Sequence, residues 1–302
     1  MNATTGAEPM QAVTGTSRVG SLTASLRAEL LRLRKWPAVW ILVGAWFALN
    51  LTFAYVFNYI AYATGAGNFS TGDATEGLLA DLMPEAIPRI FTDGMPIFGG
   101  AIMMILGALV AGSGYGWGTW KTALTQGPSR LATFGGTVVA LAFVVVAVIA
   151  ANFAVDLGAS TLIAAVESQP LVWPGLGDVA QALGGGLLIF SMWTAAGVLI
   201  GVLTRNPALA VGLGLVWSLV VENLLRGVAG LIDGLEYVTN VLPGTAAGSM
   251  AGALGATAEG SADGAPGVLT VLSGSESALL LVGYTVVFLV VAAVTMRRRD
   301  LA

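Results

Sequence analysis

The stretch ALLLVGYTVVFLVVAAVTMRRR, residues 278–299, decides the class of fold. Residues 278–296 contain no charged side chain, and an α-helix needs roughly 20 such residues to cross the hydrocarbon core of a bilayer. The apolar run stops at three consecutive arginines, Arg297, Arg298 and Arg299. Because basic residues concentrate on the cytoplasmic side of membrane helices, the stretch predicts a transmembrane helix that ends in the cytoplasm.

The composition of the whole chain agrees with a membrane location. Of its 302 residues, 56% are hydrophobic and only 10% are charged, whereas a soluble domain carries about 25% charged residues. A soluble core of this size would have too little polar surface to cover it, and a bilayer removes that requirement. The chain contains no Cys and no His, which excludes disulfides, Cys/His zinc sites and histidine acid–base chemistry.

Six segments are long and apolar enough to span a membrane, and they predict an all-α integral membrane protein with six transmembrane helices. Residues 1–20 are small and polar and lack the apolar core of a signal peptide, so we expect a flexible cytoplasmic tail there. An amphipathic connecting helix is expected at residues 21–36, and the transmembrane domain at residues 37–302. The predicted spans are residues 37–63, 95–113, 131–155, 179–203, 207–232 and 278–296.

The distribution of basic residues predicts the orientation. With both termini in the cytoplasm, only Arg89 and Arg226 of the 13 Lys and Arg residues fall outside or near the outer face. Conversely, only Glu8, Glu29 and Asp300 of the 17 acidic residues lie inside. We therefore expect a multi-pass protein of the plasma membrane with both termini cytoplasmic. The longer external links, residues 64–94 and 233–277, then include an apolar external segment before the last helix.

The segment before the first span has a leucine face and a basic side. Four leucines recur at helical spacing, and three basic residues lie mostly off that face. This pattern is typical of a helix that lies on the inner leaflet. The alternative is an ordinary basic flank that only sets the topology. The residues are Leu22, Leu26, Leu30 and Leu33 on the apolar face, and Arg27, Arg34 and Lys35 off it.

The usual catalytic motifs are missing from the sequence. A phosphate-binding loop needs a lysine preceded by glycine, but Lys35 follows Arg34 and Lys121 follows Trp120. The nucleophile elbow GxSxG and the zinc motif HExxH are absent as well. We therefore expect no enzyme activity of a familiar kind, no metal site and no nucleic-acid partner.

Charged residues within spans are rare, and Glu222 is the most notable. Glu222 and Arg226 are four residues apart on one helical face, so an ion pair near the outer boundary is predicted. The alternative is a polar patch, with Asn223, at the external exit of a pathway. Asp156 is expected at the outer end of the third span. The sequence shows no chain of buried carboxylates that would indicate a proton relay.

Residues 115–130, YGWGTWKTALTQGPSR, join the second and third spans on the predicted cytoplasmic side. A GTxxxxL segment followed by a turn and an arginine resembles the signature of type 2 ABC-exporter permeases. Residues 204–217, 241–251 and 297–302 resemble the fifth-span entry, the external segment and the C-terminal ending of the same family. The matching residues of the signature are Gly118, Thr119, Trp120, Lys121, Leu124 and Arg130.

The resemblance implies a short cytoplasmic coupling helix, formed by this segment, that docks in a groove of a separate ATPase. It implies a permease homodimer served by two ATPase subunits, with ATP and Mg bound by the ATPase and no cofactor in this chain. It also implies that the second and fifth spans line a path for a hydrophobic or amphipathic substrate, such as a drug, a peptide antibiotic or a lipid. The candidate lining residues are Met103, Met104, Trp217, Glu222 and Asn223.

Two other functions stay open at this point. A secondary transporter or channel without an ATPase predicts charged residues at the middle of the membrane. A membrane anchor or sensor predicts activity without any ATPase partner. In all three cases the lipid bilayer is the immediate environment of the chain.

Overall fold

The computed structural model describes residues 18–65, 75–116, 129–232, 234–259 and 264–298. Six of its helices are long and apolar enough to cross a membrane, which confirms the predicted all-α membrane protein with six spans. In chain order the helices are α1 (Arg18–Lys35), α2 (Pro37–Thr64), α3 (Thr75–Asp81), α4 (Ile87–Ile90), α5 (Met95–Gly116), α6 (Arg130–Val166), α7 (Leu176–Thr204), α8 (Pro207–Leu231), α9 (Leu235–Asn240), α10 (Pro243–Ala253) and α11 (Gly274–Arg298).

Local capping explains where several of these helices begin. Ser129 has an extended backbone, and its hydroxyl accepts a hydrogen bond from the amide of Ala132, so α6 begins at Arg130. Asn206 caps α8 in the same way, and Pro207 occupies the first helical position. Arg205 adopts a left-handed conformation that ends α7. The link between the fourth and fifth spans is therefore a tight turn.

The helices α5 and α7 form the centre of the bundle. Their most apolar stretches are 78% and 67% buried, whereas those of the other four spans are only 17% to 33% buried. Glycines allow the two backbones to meet: a Cβ atom at Gly201 would lie 2.9 Å from the carbonyl oxygen of Ala108. Gly107 and Gly197 face the partner helix even more closely. The other four spans pack around this central pair.

Side-chain contacts show which helices run in the same direction. Asn50 contacts Asp156, and further along the same helices Tyr59 contacts Glu167, so α2 and α6 run parallel. The contacts of Gly197 with Met104 and of Gly201 with Ala108 show that α5 and α7 also run parallel to each other. We call the end with the connections at residues 65–94 and 232–273 the long-loop end. The end with the Arg205 turn is the short-loop end.

The two long connections pack into the bundle rather than standing clear of it. In the first, Ile87, Phe91 and Met95 are fully buried against the spans. In the second, α10 carries a row of buried small residues and packs against α11 and α7. The small residues let α10 approach the following part of the chain closely, and Gly248 lies directly against the backbone of Gly267. The apolar segment before the last helix is thus part of the core.

The helix α1 packs against the start of α6. Gly136 leaves room for the backbone of α1 at Ser25 and Leu26. Along the leucine face, Leu33 is buried and Leu30 is half-buried, whereas Leu22 is exposed. The basic residues Arg27, Arg34 and Lys35 are exposed. The predicted leucine face therefore packs partly against the bundle.

Candidate functional site

Most residues of the predicted coupling segment lie outside the described residues. These are Gly118, Thr119, Trp120, Lys121 and Leu124. Arg130 is described, and it is the half-buried first residue of α6.

The predicted path residues divide into two groups. Met103 and Met104 of α5 are buried in the core, and the Met104 sulfur lies against Gly214 of α8. Trp217 lies in the middle of α8 and is exposed, and Asn223 lies further along the same helix towards the long-loop end. The structure therefore joins Trp217 to Glu222 by a hydrogen bond, whereas Met104 meets α8 at Gly214. The list of predicted residues is Met103, Met104, Trp217, Glu222 and Asn223.

The predicted ion pair between Glu222 and Arg226 is wrong. Glu222 is only 1% exposed, and its Oε1 accepts a 2.7 Å hydrogen bond from the indole Nε1 of Trp217. The guanidinium of Arg226 donates to Oδ1 of Asn223 instead. Residues Val216–Val221 form a π-helical segment, in which residues five apart stack, so Trp217 lies above Glu222. Residues Glu222–Val228 are α-helical, so the spacing of the pair holds, but the Glu222 carboxylate accepts from Trp217 and from Gly244 instead.

Glu222 joins two helices. Its Oε2 accepts a 2.7 Å hydrogen bond from the amide of Gly244, in the first turn of α10. A carboxylate is favourable at that position because the free amides of a helix N-terminus carry partial positive charge. Glu222 thus attaches the start of α10 to α8, which is a structural role that the sequence did not reveal.

A second buried carboxylate lies between α2 and α6. Asp156 is 1% exposed, and its two oxygens accept hydrogen bonds from Asn50 at 2.6 Å and from Asn152 at 3.0 Å. One turn further along, the hydroxyl of Ser160 donates to that of Tyr55. Asp156, which the sequence placed near the end of the third span, is thus buried and hydrogen-bonded to two side-chain amides.

Next to this contact, a cavity of about 320 Å³ opens at the long-loop end. Its walls come from α2, from α3 and the start of α5 with the connection between them, and from Thr257 and residues 264–266. We call it the aromatic cleft. Its lining includes aromatic, polar and charged residues: Trp46, Phe53 and Phe98 are aromatic, Asn58 is polar, and Arg89 and Asp93 are charged.

Two stacked phenylalanines stand at the cleft and are exposed at the protein surface. The ring centroids of Phe53 and Phe98 are 6.3 Å apart and their planes are 8° apart. Phe53 also meets Phe57 edge to face. Phe53 is 57% exposed and Phe98 is 42% exposed, so the aromatic edge of the cleft faces outward from the bundle.

The charges in the cleft are unbalanced. Arg89 pairs with Asp81. Asp93 accepts no hydrogen bond from the part of the chain that the structure describes, and its Oδ1 is buried. Burial raises the pKa of the Asp93 carboxyl to about 7, although Arg89 lowers it and Asp81 raises it further. Within the described ranges, no three Asp or Glu residues converge as a metal site would require.

Sequence reasoning missed the cleft because its residues come from distant parts of the chain. Asn50 and Asn58 are two polar positions inside an apolar span, and this was the one signal available. Polar residues in a membrane helix are unfavourable unless they have a partner or a function. Asp93 lies just before the second span, where an acidic residue has no distinctive pattern.

Comparisons with known proteins give no family for this chain. No protein-family model matches it, and no curated protein matches it.

Proposed function

We propose that the protein is the membrane-spanning permease subunit of an ABC exporter, driven by a separate ATPase that binds ATP and Mg. Two permease copies would act with two ATPase subunits in the plasma membrane, with both termini in the cytoplasm. The observation that carries this proposal is the sequence of residues 115–130, which resembles the ATPase-coupling segment of type 2 ABC exporters.

The surroundings of this segment support the proposal. Its first residue, Tyr115, donates a hydrogen bond to the sulfur of Met296 in α11. The guanidinium of Arg205 lies 5.9 Å from the centre of the Tyr115 ring. At the other side of the segment, Ser129 caps α6 directly. A force on residues 117–128 would therefore reach α5, α6, the turn before α8 and the end of α11.

The central helices provide a way to transmit that force. The coupling segment follows α5 in the sequence, and α5 touches α7 along glycines without intervening side chains. A displacement of one helix therefore moves the other, because packed interiors resist compression. We expect α5 and α7 to move as one unit relative to the peripheral spans.

The remaining parts of the chain suit the same function. The exposed Arg27, Arg34 and Lys35 of α1 would face anionic headgroups, which makes α1 the proposed membrane-surface helix. The exposed apolar faces of α2, α8 and α11 would contact lipid or the second copy. A substrate that partitions into the membrane, hydrophobic or amphipathic, is the class that such a permease would export.

The test is co-purification with a candidate ATPase in mild detergent. We expect Trp120→Ala/Lys121→Glu to lose the ATPase and the wild type to retain it. The control Trp173→Ala/Arg298→Glu also removes one tryptophan and inverts one basic charge, at exposed positions outside the segment. If both double variants retain the ATPase equally, or the wild type never binds one, the proposal is refuted.

One observation favours a second candidate, an ion-coupled secondary transporter. Asp156 is buried with two amide partners and no ion pair among the described residues. A carboxylate of this kind could carry a proton or a cation. Transport that continues without any ATPase and stops in Asp156→Asn would establish this candidate and exclude the exporter.

A further inference from the structure

The carboxylate of Asp93 has no counter-ion of its own. Among the described residues that line the aromatic cleft, the one cation is Arg89, and it is already paired with Asp81. Asp81 and Asp93 therefore share a single positive charge. A partly buried carboxylate without a partner is unfavourable, and a cation beside it would restore the lost interaction.

The chain supplies no further cation nearby in sequence. Residues 66–74 and 260–263, which adjoin the walls of the cleft in the chain, contain Asp73 and Asp263 but no Lys or Arg. Among the described residues of the long-loop half, Arg89 and Arg226 are the basic ones. This excess of negative charge would attract cations from solution.

The aromatic lining adds a second kind of attraction. The faces of Trp, Tyr and Phe rings bind cations, and this interaction is the usual means of holding quaternary ammonium groups. Trp46, Phe53 and Phe98 all line the same cavity as Asp93. The volume of about 320 Å³ lies within the range typical of small-molecule sites.

We propose that the aromatic cleft binds a monovalent organic cation with an apolar body, holding its positive charge at Asp93 and its apolar part against Phe53 and Phe98. The unpaired carboxylate selects the charge, and the exposed aromatic edge admits the apolar group. An anion of the same shape is excluded by Asp81 and Asp93. The claim that such a cation is exported rests on the proposed function, whereas the claim that it binds in the cleft does not.

Binding is tested on the full chain without any ATPase. Isothermal titration with phenyltrimethylammonium is carried out in phosphatidylglycerol nanodiscs at pH 8. We expect binding to the wild type and weaker binding of the neutral analogue N,N-dimethylaniline. Asp93→Asn removes the charge without changing shape, and it should weaken binding roughly ten-fold or more, as expected for an ion pair shielded from water.

Three further variants separate the site from general effects. Asp93→Glu keeps the charge, and it should restore most of the affinity that Asp93→Asn loses. Phe53→Leu should weaken binding by about two- to five-fold, the range of a partly exposed cation–π contact. Glu85→Gln removes an exposed charge from the same connection without touching the cleft, and it should leave binding unchanged.

The pH dependence follows from the pKa of Asp93 of about 7. The probe is permanently charged and binds the ionised carboxylate, so affinity should rise about ten-fold between pH 6 and pH 8. The groups that face Asp93 are Arg89, Asp81 and the Tyr55 phenol of α2. Asp93→Asn should abolish this dependence.

The outcomes decide both the site and its occupant. Equal affinity of the wild type and Asp93→Asn, or equal losses in Asp93→Asn and Glu85→Gln, overturns the proposal. If adding phosphatidylethanolamine to the nanodiscs competes with the probe, the cation is a lipid ammonium group. If it does not compete, the cation is a separate amphipathic molecule. A positive titration together with failed ATPase co-purification retains the site and rejects the exporter.

Discussion

Replacing Gly197 by alanine should separate the two central helices. A Cβ atom there would lie 2.8 Å from the amide nitrogen of Ala108 and closer still to the carbonyl oxygen of Met104. Both obstacles are backbone atoms, so neither can move without moving α5. Ordinary contact distances are about 3.5 Å, and because the Met104 oxygen is the nearer obstacle, α5 must retreat by roughly 1.5 Å.

The cost can be estimated from that displacement. A gap of about 0.5 to 1 Å forfeits a quarter to a half of the dispersion energy of each contact across it. Overpacking of this kind typically costs about 1 to 3 kcal/mol. Because Gly107 and Gly201 lie on the same interface, the separation affects the whole contact. We expect Gly197→Ala to lower the free energy of unfolding by about 3 kcal/mol.

The assay is reversible unfolding in mixed micelles with increasing SDS, followed by circular dichroism. The control is Gly212→Ala on α8, where a Cβ atom would meet nothing within 4 Å. That variant should match the wild type or be slightly more stable, since alanine favours helix more than glycine does. If Gly197→Ala unfolds at the same SDS fraction as Gly212→Ala, the direct backbone contact between α5 and α7 is refuted.

Three other variants test local contacts. Glu222→Ala leaves the Trp217 indole and the Gly244 amide without an acceptor, so unfolding should become easier by about 2 kcal/mol; unchanged SDS unfolding would contradict this role. Asp93 has a pKa raised by burial, so the folded state binds its proton more tightly than the unfolded state does. The contribution of Asp93 to stability is therefore greatest at low pH and is lost as the pH rises towards about 7. The thermal unfolding temperature should change less between pH 5 and pH 8 in Asp93→Asn than in the wild type. An equal change in both proteins would disprove the assignment. Asn206→Ala removes the cap of α8 and should cost about 1 kcal/mol in the SDS titration, whereas an unaltered midpoint would show that the cap contributes nothing.

The six spans could be predicted because hydrophobic length determines them directly. Their ends were less certain, and α6 shows why. It continues to Val166, beyond the predicted end at residue 155. Its extension contains Asp156 and Ser160, polar residues that find partners on α2. Sequence length and hydropathy do not reveal such partners, because they depend on the neighbouring helix.

The aromatic cleft could not be predicted for a similar reason. Phe53, Asp93 and Pro266 belong to three separate parts of the chain, and only packing makes them neighbours. The predicted path residues Met103 and Met104 rested on a family analogy that says which helix lines a path. It does not say which face of the helix is turned inward. In this protomer both side chains face the core.

The π-helical segments connect the fold with the candidate site. Phe53 lies in the segment Leu51–Val56, and Phe98 lies in Met95–Gly99. One extra residue in a turn rotates the following side chains by about 100°, so α-helical geometry would alter how these rings meet. A π turn is less favourable than an α turn and persists where the surrounding structure stabilises it. Both helices thus depart from regular geometry at the edge of the same cavity. Such departures concentrate at functional sites, and this coincidence supports the aromatic cleft as the place where the protein meets its ligand.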